Sequence, residues 1–112
     1  MIRTAVSRDR EGAVYVFAAR GHAEKDGETD AAVCAAVPAL AGAAARTVAA
    51  EWEKGGLLCA PVLDLREGAA TVVCTPRPEA RERLGAVFAV LKNGLALIKQ
   101  AAPDLIRVGS NG

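Results

Sequence analysis

A period of two at the start of the chain, through Ile2, Thr4 and Val6, predicts a first β-strand. Residues 14–18 predict a second strand. Because that strand is apolar on both faces, we place it in the interior of a sheet rather than at an edge. Between the two, residues 8–12 are charged and end in a glycine, which is typical of a turn.

The middle of the chain changes to a helical pattern rich in alanine and valine. Residues 21–30 are polar and contain two glycines, so they predict a loop. A helix follows over residues 31–54, with Thr29 or Asp30 as its N-cap and the glycine pair at 55–56 ending it.

The second half repeats the order of elements without repeating the residues. Strands are predicted over residues 62–65 and 70–74, joined by a tight turn. A second helix then shows apolar residues at helical spacing and ends at Pro103. Its apolar positions are Leu84, Val87, Phe88, Leu91, Leu95 and Ile98.

These elements predict one α+β domain over residues 1–112. After Pro103, residues 105–108 predict a last short strand, and residues 109–112 are expected to form a loose tail. The element order is therefore ββαββαβ. It corresponds to a two-layer fold in which a small mixed sheet packs against two main helices.

Composition narrows the class of protein. The chain is 52% hydrophobic but only 4% aromatic, so its core is expected to consist mainly of Ala, Val and Leu. Fourteen basic and 13 acidic residues leave a net charge of +1, which gives no reason to expect a nucleic acid or a membrane surface as partner. No secretory signal is visible, and the apolar run at 31–45 is shorter than the roughly 20 residues that span a bilayer. We therefore expect a cytoplasmic protein.

One pair of residues carries the candidate chemistry. His22 is the only histidine, and it precedes Cys34, the first of three cysteines. A thiolate beside an imidazole is the minimal equipment for nucleophilic catalysis. Cys34 is favoured as nucleophile because it falls in the first turns of the predicted helix, where the helix dipole stabilises an anion. Asp30 is either the N-cap or a third catalytic member, and Gly21 and Gly27 are either hinges of a closing loop or turn residues.

These residues resemble a known family. Gly21-His22-Ala23, Gly27, Asp30 and the segment from Val33 to Val37 are similar to the ribosomal-processing cysteine protease family (Prp). The resemblance implies a cysteine endopeptidase with His22 as general base and Cys34 as nucleophile. It also implies a homodimer. The implied substrate is a precursor of the twenty-seventh large-subunit ribosomal protein, cut in its N-terminal extension after a segment carrying Leu and paired Phe.

One position departs from the family pattern. Pro38 stands where the family usually has serine, and a proline inside a helix lacks the N–H that would bond the carbonyl of Cys34. A kink one turn beyond the nucleophile is therefore expected.

The remaining cysteines are expected to be reduced packing residues. If Arg66 and Glu67 form a two-residue turn, Cys59 and Cys74 face each other across the second hairpin. No close pair of ligands is present to form a zinc site, and no cofactor is expected.

Two other classes of function remain open at this point. The same fold could serve as a non-enzymatic binding module associated with the ribosome. The same Cys/His pair could serve a thiol-dependent redox or acyl-transfer protein. A binding module would tolerate loss of Cys34, and a redox protein would need a resolving cysteine close by.

Overall fold

The computed structural model describes residues 1–9, 11 and 13–111, and the side chains of these up to residue 109. The turn predicted over residues 8–12 includes residues 10 and 12, which lie outside the described residues. The predicted tail likewise ends in Gly112, which is not described.

The observed elements follow the predicted order. They are β1 (Ile2–Arg8), β2 (Tyr15–Gly21), β3 (Glu24–Lys25), β4 (Glu28–Thr29), α1 (Ala31–Glu53), β5 (Val62–Arg66), β6 (Ala69–Cys74), a 3-10 turn (Pro78–Ala80), α2 (Arg81–Ala101) and β7 (Ile106–Asn111). The α+β class and the ββαββαβ order are confirmed. The short hairpin β3–β4 is an addition within the segment that the sequence predicted as a loop.

The main sheet has five strands in the order β5-β6-β2-β1-β7. All neighbouring pairs are antiparallel except β1 and β7, which are parallel, so the sheet is mixed as predicted. The second strand, β2, lies at the centre of the sheet. This agrees with the apolar character of both its faces.

Both helices cover one face of this sheet. Along β1, Ile2, Thr4 and Val6 are buried while their neighbours face away from the helices. The core between sheet and helices is filled largely by small and medium side chains, as the composition predicts. Its largest fully buried members include Phe17, Leu57, Leu84, Leu95 and Ile106.

The end of the chain differs from the prediction. The last strand runs to Asn111 and does not stop at residue 108, because Gly109, Ser110 and Asn111 continue the parallel ladder with β1. The polar and glycine-rich composition indicated a loose tail. Backbone pairing to β1 overrides that local preference, so the tail prediction was wrong for residues 109–111.

The second hairpin also has a different register. Val62 pairs with Val73 and Arg66 pairs with Ala69, so Glu67 and Gly68 form the two-residue turn. Gly68 takes a positive φ of 74°, which a glycine adopts without strain. Cys59 therefore precedes the ladder and does not face Cys74. The predicted pairing of the two cysteines was wrong by a shift of the turn.

By length and composition alone, the two helices of this fold cannot be distinguished from membrane-spanning helices. Among the described residues, two helical segments, Ala31–Glu53 and Pro78–Ala101, are long and apolar enough to cross a bilayer. The prediction that the apolar segment is too short was therefore wrong for α1, which continues past residue 45. Core helices of soluble proteins satisfy the same test, and both helices here pack against the sheet.

Candidate active site

A cavity of about 790 Å³ opens at one end of the sheet, between the end of β2, the β5–β6 turn and the first half of α1. Both His22 and Cys34 line it. Apolar walls come from β1, β2, α1, β5 and β6, and charged side chains also contribute. The apolar lining residues are Ile2, Ala19, Val37, Pro38, Ala41, Leu65, Ala69 and Ala70, and the charged ones are Arg20, Glu24, Arg66 and Glu67.

The first turn of α1 holds Cys34. Asp30 is the N-cap, and its Oδ1 accepts a hydrogen bond from the backbone N–H of Val33 at 3.0 Å. The backbone N–H of Cys34 donates to the carbonyl oxygen of Asp30 at 3.0 Å, the first bond of the helix. Cys34 is half-buried, and no acidic residue lies in the first helical turn. The positive end of the helix dipole therefore acts on the thiol, and the Asp30 carboxylate at the N-cap offsets part of that effect.

The carbonyl oxygen of Ala23 links the loop after β2 to this helix. It accepts the backbone N–H of Asp30 at 2.8 Å, and it also lies 4.0 Å from Sγ of Cys34, which donates to it weakly. Ala23 itself is fully buried. The residue that follows His22 is therefore fixed against the helix that carries Cys34, which ties the two candidate catalytic residues to each other through one backbone group.

His22 is held mainly by its backbone. Its carbonyl oxygen accepts the amino group of Met1 at 2.6 Å and the N–H of Glu24 at 3.0 Å. The side chain is exposed and packs against Gly68, where a Cβ atom would lie 2.8 Å from Nε2. Within the described part of the chain, neither ring nitrogen forms a hydrogen bond. The ring is therefore placed by contact with the β5–β6 turn and by the backbone.

Among the described residues, no hydrogen bond joins Asp30 to the histidine. Its carboxylate is used as the helix cap, which is one of the two roles that the sequence left open. Glu24 and Glu67 line the cavity with His22, but no described hydrogen bond joins either to the ring.

The segment between His22 and Cys34 is a hairpin with a tight turn. Glu24 pairs with Thr29 and Lys25 with Glu28. The turn residues Asp26 and Gly27 both have positive φ, 54° and 79°, as in the type I′ turns that favour Asp-Gly. Gly27 is thus a turn residue.

Two further predicted residues line the same cavity. Gly21 ends β2, and its N–H donates to the carbonyl oxygen of Gly68 at 2.9 Å, which fastens β2 to the β5–β6 turn. Pro38 lies inside α1, which continues through it to Glu53. The proline removes the N–H that would bond the Cys34 carbonyl, and its ring forms part of the cavity wall.

The other two cysteines lie away from this site. Cys74 is buried in β6, and burial raises the pKa of its thiol to about 11. Cys59 is exposed and follows the far end of α1, about 30 Å along the helix from Cys34 at 1.5 Å per residue. No group of three or more His, Cys, Asp or Glu side chains in the described ranges could hold a metal ion.

Sequence reasoning missed the contributions of Gly68 and Ala23. Gly68 is distant in sequence and reaches His22 only through the pairing of β6 with β2. The Arg-Glu-Gly sequence signalled a turn, but nothing local showed which residue this turn would meet. Ala23 acts through its backbone, which leaves no side-chain signal.

The chain matches a known protein family over most of its length. The model of the family described as cysteine protease Prp matches residues 1–107. Among curated proteins, no sequence matches.

Solved structures show the same fold. The ribosomal processing protease Prp from S. aureus is similar in two structures, one with a covalently linked product peptide and one with a substrate peptide. The TM-scores are 0.68 and 0.70 at 18% and 16% identity, covering 99% of this chain and 100% of the other in both cases. SMU.848 from Streptococcus mutans is similar with a TM-score of 0.65 at 17% identity, covering 98% of this chain and 93% of that one. The match to the family model over almost the whole chain places this protein in the Prp family of cysteine proteases.

Proposed function

We propose that this protein is a cytoplasmic endopeptidase that removes the N-terminal extension of the twenty-seventh large-subunit ribosomal protein, with Cys34 as nucleophile and His22 as general base and proton donor. The observation that supports the proposal most strongly is that His22 and Cys34 open onto one cavity large enough for several residues of a peptide. The solved Prp relatives are described as ribosomal processing proteases, and this supports the choice of substrate.

The first chemical step is acylation. The Cys34 proton passes to the imidazole of His22, and the thiolate attacks the carbonyl carbon of the scissile peptide bond. The tetrahedral intermediate collapses when the C–N bond breaks, and the imidazolium gives its proton to the departing amine. Because the N–H of Cys34 already bonds Asp30, that N–H does not serve the developing oxyanion.

The second step is hydrolysis of the thioester. A water molecule loses a proton to His22 as its oxygen attacks the acyl carbon, and the carbon–sulfur bond breaks to release the carboxylic product. The imidazolium then returns the proton to the Cys34 thiolate. The free thiol and neutral imidazole are restored, so each turnover consumes only water and the peptide bond.

The cavity wall supports an apolar substrate. Leu65, Val37 and Ala70 line it with small and medium side chains that leave room for Leu and Phe. Burial of aromatic side chains would supply much of the binding free energy. Thus the paired Phe before the cut is the part of the substrate that this wall suits best.

Assembly as a homodimer belongs to the same proposal. The outer side of the helical layer keeps large apolar side chains in solvent, among them Val90 and Leu97 of α2, which are 67% and 66% exposed. Two-fold assembly that buries such side chains would stabilise the pair. Sedimentation of the protein at micromolar concentration tests this, and a monomer under those conditions would contradict it.

The alternative classes receive less support. A redox protein requires a resolving cysteine near Cys34, but Cys59 lies beyond the far end of α1 and Cys74 is buried in the sheet. If the protein were a binding module without catalysis, the half-buried thiol of Cys34 would have no role in the cavity that it shares with the only histidine.

Cleavage of a peptide that spans the junction between extension and mature protein tests the proposal. Cys34→Ala should abolish cleavage and leave the fold intact, because alanine suits the first turns of a helix. His22→Ala should slow cleavage about 10²–10⁴-fold, which is the usual contribution of general acid–base catalysis. Cys59→Ala is the matched control and should cleave normally. Substantial cleavage by Cys34→Ala would exclude this mechanism.

A further inference from the structure

Four arginines form a row across the open face of the sheet, the face that the helices do not cover. Arg107 on β7 pairs with Arg3 on β1, and Arg3 pairs with Arg20 on β2. The row continues through Ala69 on β6 to Arg66 on β5. Five strands at about 4.8 Å spacing make the row about 19 Å long. All four arginines are exposed.

The centre of this row is concave. A cleft of about 190 Å³ lies between Arg3, Arg20 and Arg66. Small residues form most of its floor and raise no obstacle between the guanidinium groups. They are Ala5, Ala18, Ala69 and Thr71. The cleft therefore presents three cationic groups around a shallow floor that has room for a phosphate group.

The charges of the row are mostly uncompensated. Asp64 is the acidic residue lining the cleft, and its Oδ2 accepts from Arg66 Nη2 at 2.9 Å. In the described part of the structure, the side chains of Arg3, Arg20 and Arg107 form no ion pair. Like charges directly opposite each other on neighbouring strands destabilise a sheet. A feature that costs stability in this way is expected where function requires it.

We propose that this arginine row binds the phosphodiester backbone of RNA. Guanidinium groups pair with phosphates in a bidentate geometry. An acidic peptide would need carboxylates at matching intervals, whereas an RNA strand carries a negative charge at every nucleotide. The choice of RNA over another polyanion rests on the proposed function, because a ribosomal protein substrate is found beside RNA.

The arginine row differs from what the composition of the whole chain leads one to expect. A net charge of +1 gives no reason to expect nucleic acid when the charge is averaged over the whole chain. The strand register places four positive charges in one line, and the net charge of the whole chain does not show this. The row also reaches the candidate active site, because Arg20 and Arg66 line both the cleft and the cavity. RNA bound along the row would hold a ribosomal substrate next to the site that cuts it.

Fluorescence anisotropy with a labelled single-stranded RNA of mixed sequence tests the proposal. For three or four phosphate contacts, the logarithm of the association constant should fall against the logarithm of salt concentration with a slope of about −2 to −3. The variant carrying Arg3→Gln and Arg107→Gln should bind about tenfold or more weakly, with a slope smaller by about 1.4. Both residues lie outside the cavity, so cleavage of the short peptide should be unchanged.

The matched control removes two positive charges from the helical layer with Arg46→Gln and Lys99→Gln, both at exposed positions. It should keep wild-type affinity for RNA. Equal RNA affinity in the two double variants, or no binding by the wild type at low salt, would overturn the proposal. Equally tight binding of poly-glutamate or of anionic vesicles would overturn the assignment to RNA. Because cleavage is measured on a free peptide, failure of the protease proposal gives a separate result.

Discussion

A Cβ atom placed on Gly68 would lie 2.8 Å from Nε2 of His22, so the imidazole packs directly against the backbone of the β5–β6 turn. Gly68→Ala should displace the ring and reduce cleavage at least tenfold. The positive φ at this position adds about 1–2 kcal/mol of backbone strain.

Gly55→Ala separates the displacement of the His22 ring from the backbone strain. Gly55 has a similar φ of 79°, but a Cβ atom there would meet nothing within 4 Å. Both variants should lose similar stability in thermal unfolding, and only Gly68→Ala should lose activity. Equal cleavage rates in the two variants would show that the turn does not position the histidine.

Thiol labelling distinguishes the three cysteines. Cys34 should react with iodoacetamide faster than Cys59 and Cys74 at mildly acidic pH, because it lies at the start of α1 and opens onto the cavity with His22. Cys74 should react slowest, since it is buried and its pKa is raised to about 11. Peptide mass spectrometry of the folded protein gives the three rates. Similar labelling of Cys34 and the exposed Cys59 would count against a catalytic thiol.

Substitutions of Asp30 test whether its carboxylate only caps α1 or also takes part in the reaction. Asp30→Ala should cost about 1 kcal/mol of stability through loss of the N-cap. Asp30→Asn keeps an oxygen that can accept from Val33 and should retain both stability and cleavage. Chemical denaturation and peptide cleavage are measured on the same samples. A stable Asp30→Asn protein with cleavage reduced more than tenfold would instead indicate that the charge acts in the reaction.

The hairpin β3–β4 is expected to exchange its amide protons quickly and to become protected when substrate binds. All four residues of its two short strands are exposed, and an exposed ion pair of 2.8 Å joins Lys25 to Asp104 before β7. Lys25→Ala should speed exchange in the free protein further, whereas Lys92→Ala, on α2, should not. Hydrogen exchange with and without the peptide measures this. Slow exchange that the peptide does not change would contradict a closing hairpin.

The ion pair between Arg83 and Glu51 makes the stability of the fold depend on pH. Arg83 donates to both carboxylate oxygens of Glu51, at 2.7 and 3.0 Å, and this holds the pKa of Glu51 below its ordinary value of 4.5. The stabilisation is therefore complete above pH 4.5 and is lost as pH falls through the lower folded-state pKa. Glu51→Gln should lower the melting temperature by a few degrees at pH 7 and flatten its dependence on pH in that acidic range.

Glu53→Gln is the matched control for this pH prediction. Glu53 is exposed two residues further along α1, and its substitution should leave both the melting temperature and the pH profile nearly unchanged. Equal behaviour of the two variants would show that the ion pair contributes no stability.

Local patterns predicted the elements near the site but not every contact between them. The central position of β2 and the start of α1 at residue 31 agree with the sequence. Periodicity and capping are local signals, which explains this success. The hairpin β3–β4 was not predicted, because its Asp-Gly turn is flanked by charged residues rather than by alternating apolar ones.

Periodicity and capping could not predict strand register or contacts between residues distant in sequence. The sequence predicted the turn of the second hairpin one residue too early and therefore placed Cys59 opposite Cys74. This error followed because the position of the turn fixes every pairing in the hairpin. The contact of Gly68 with His22 and the alignment of Arg107 with Arg3 depend on which strands are neighbours. Such neighbours are set by packing of the whole sheet rather than by the residues of one strand.

The parallel pairing of β7 with β1 has a consequence for the timing of folding. Ile106 lies opposite Ile2, so this ladder joins residues from opposite ends of the chain. Contacts this distant in sequence form late and slowly, because a long loop must close before they gain any free energy. During synthesis, His22 and Cys34 leave the ribosome long before the strand that completes their sheet. The nascent chain therefore carries both reactive groups before it has the edge strand that finishes the fold around them.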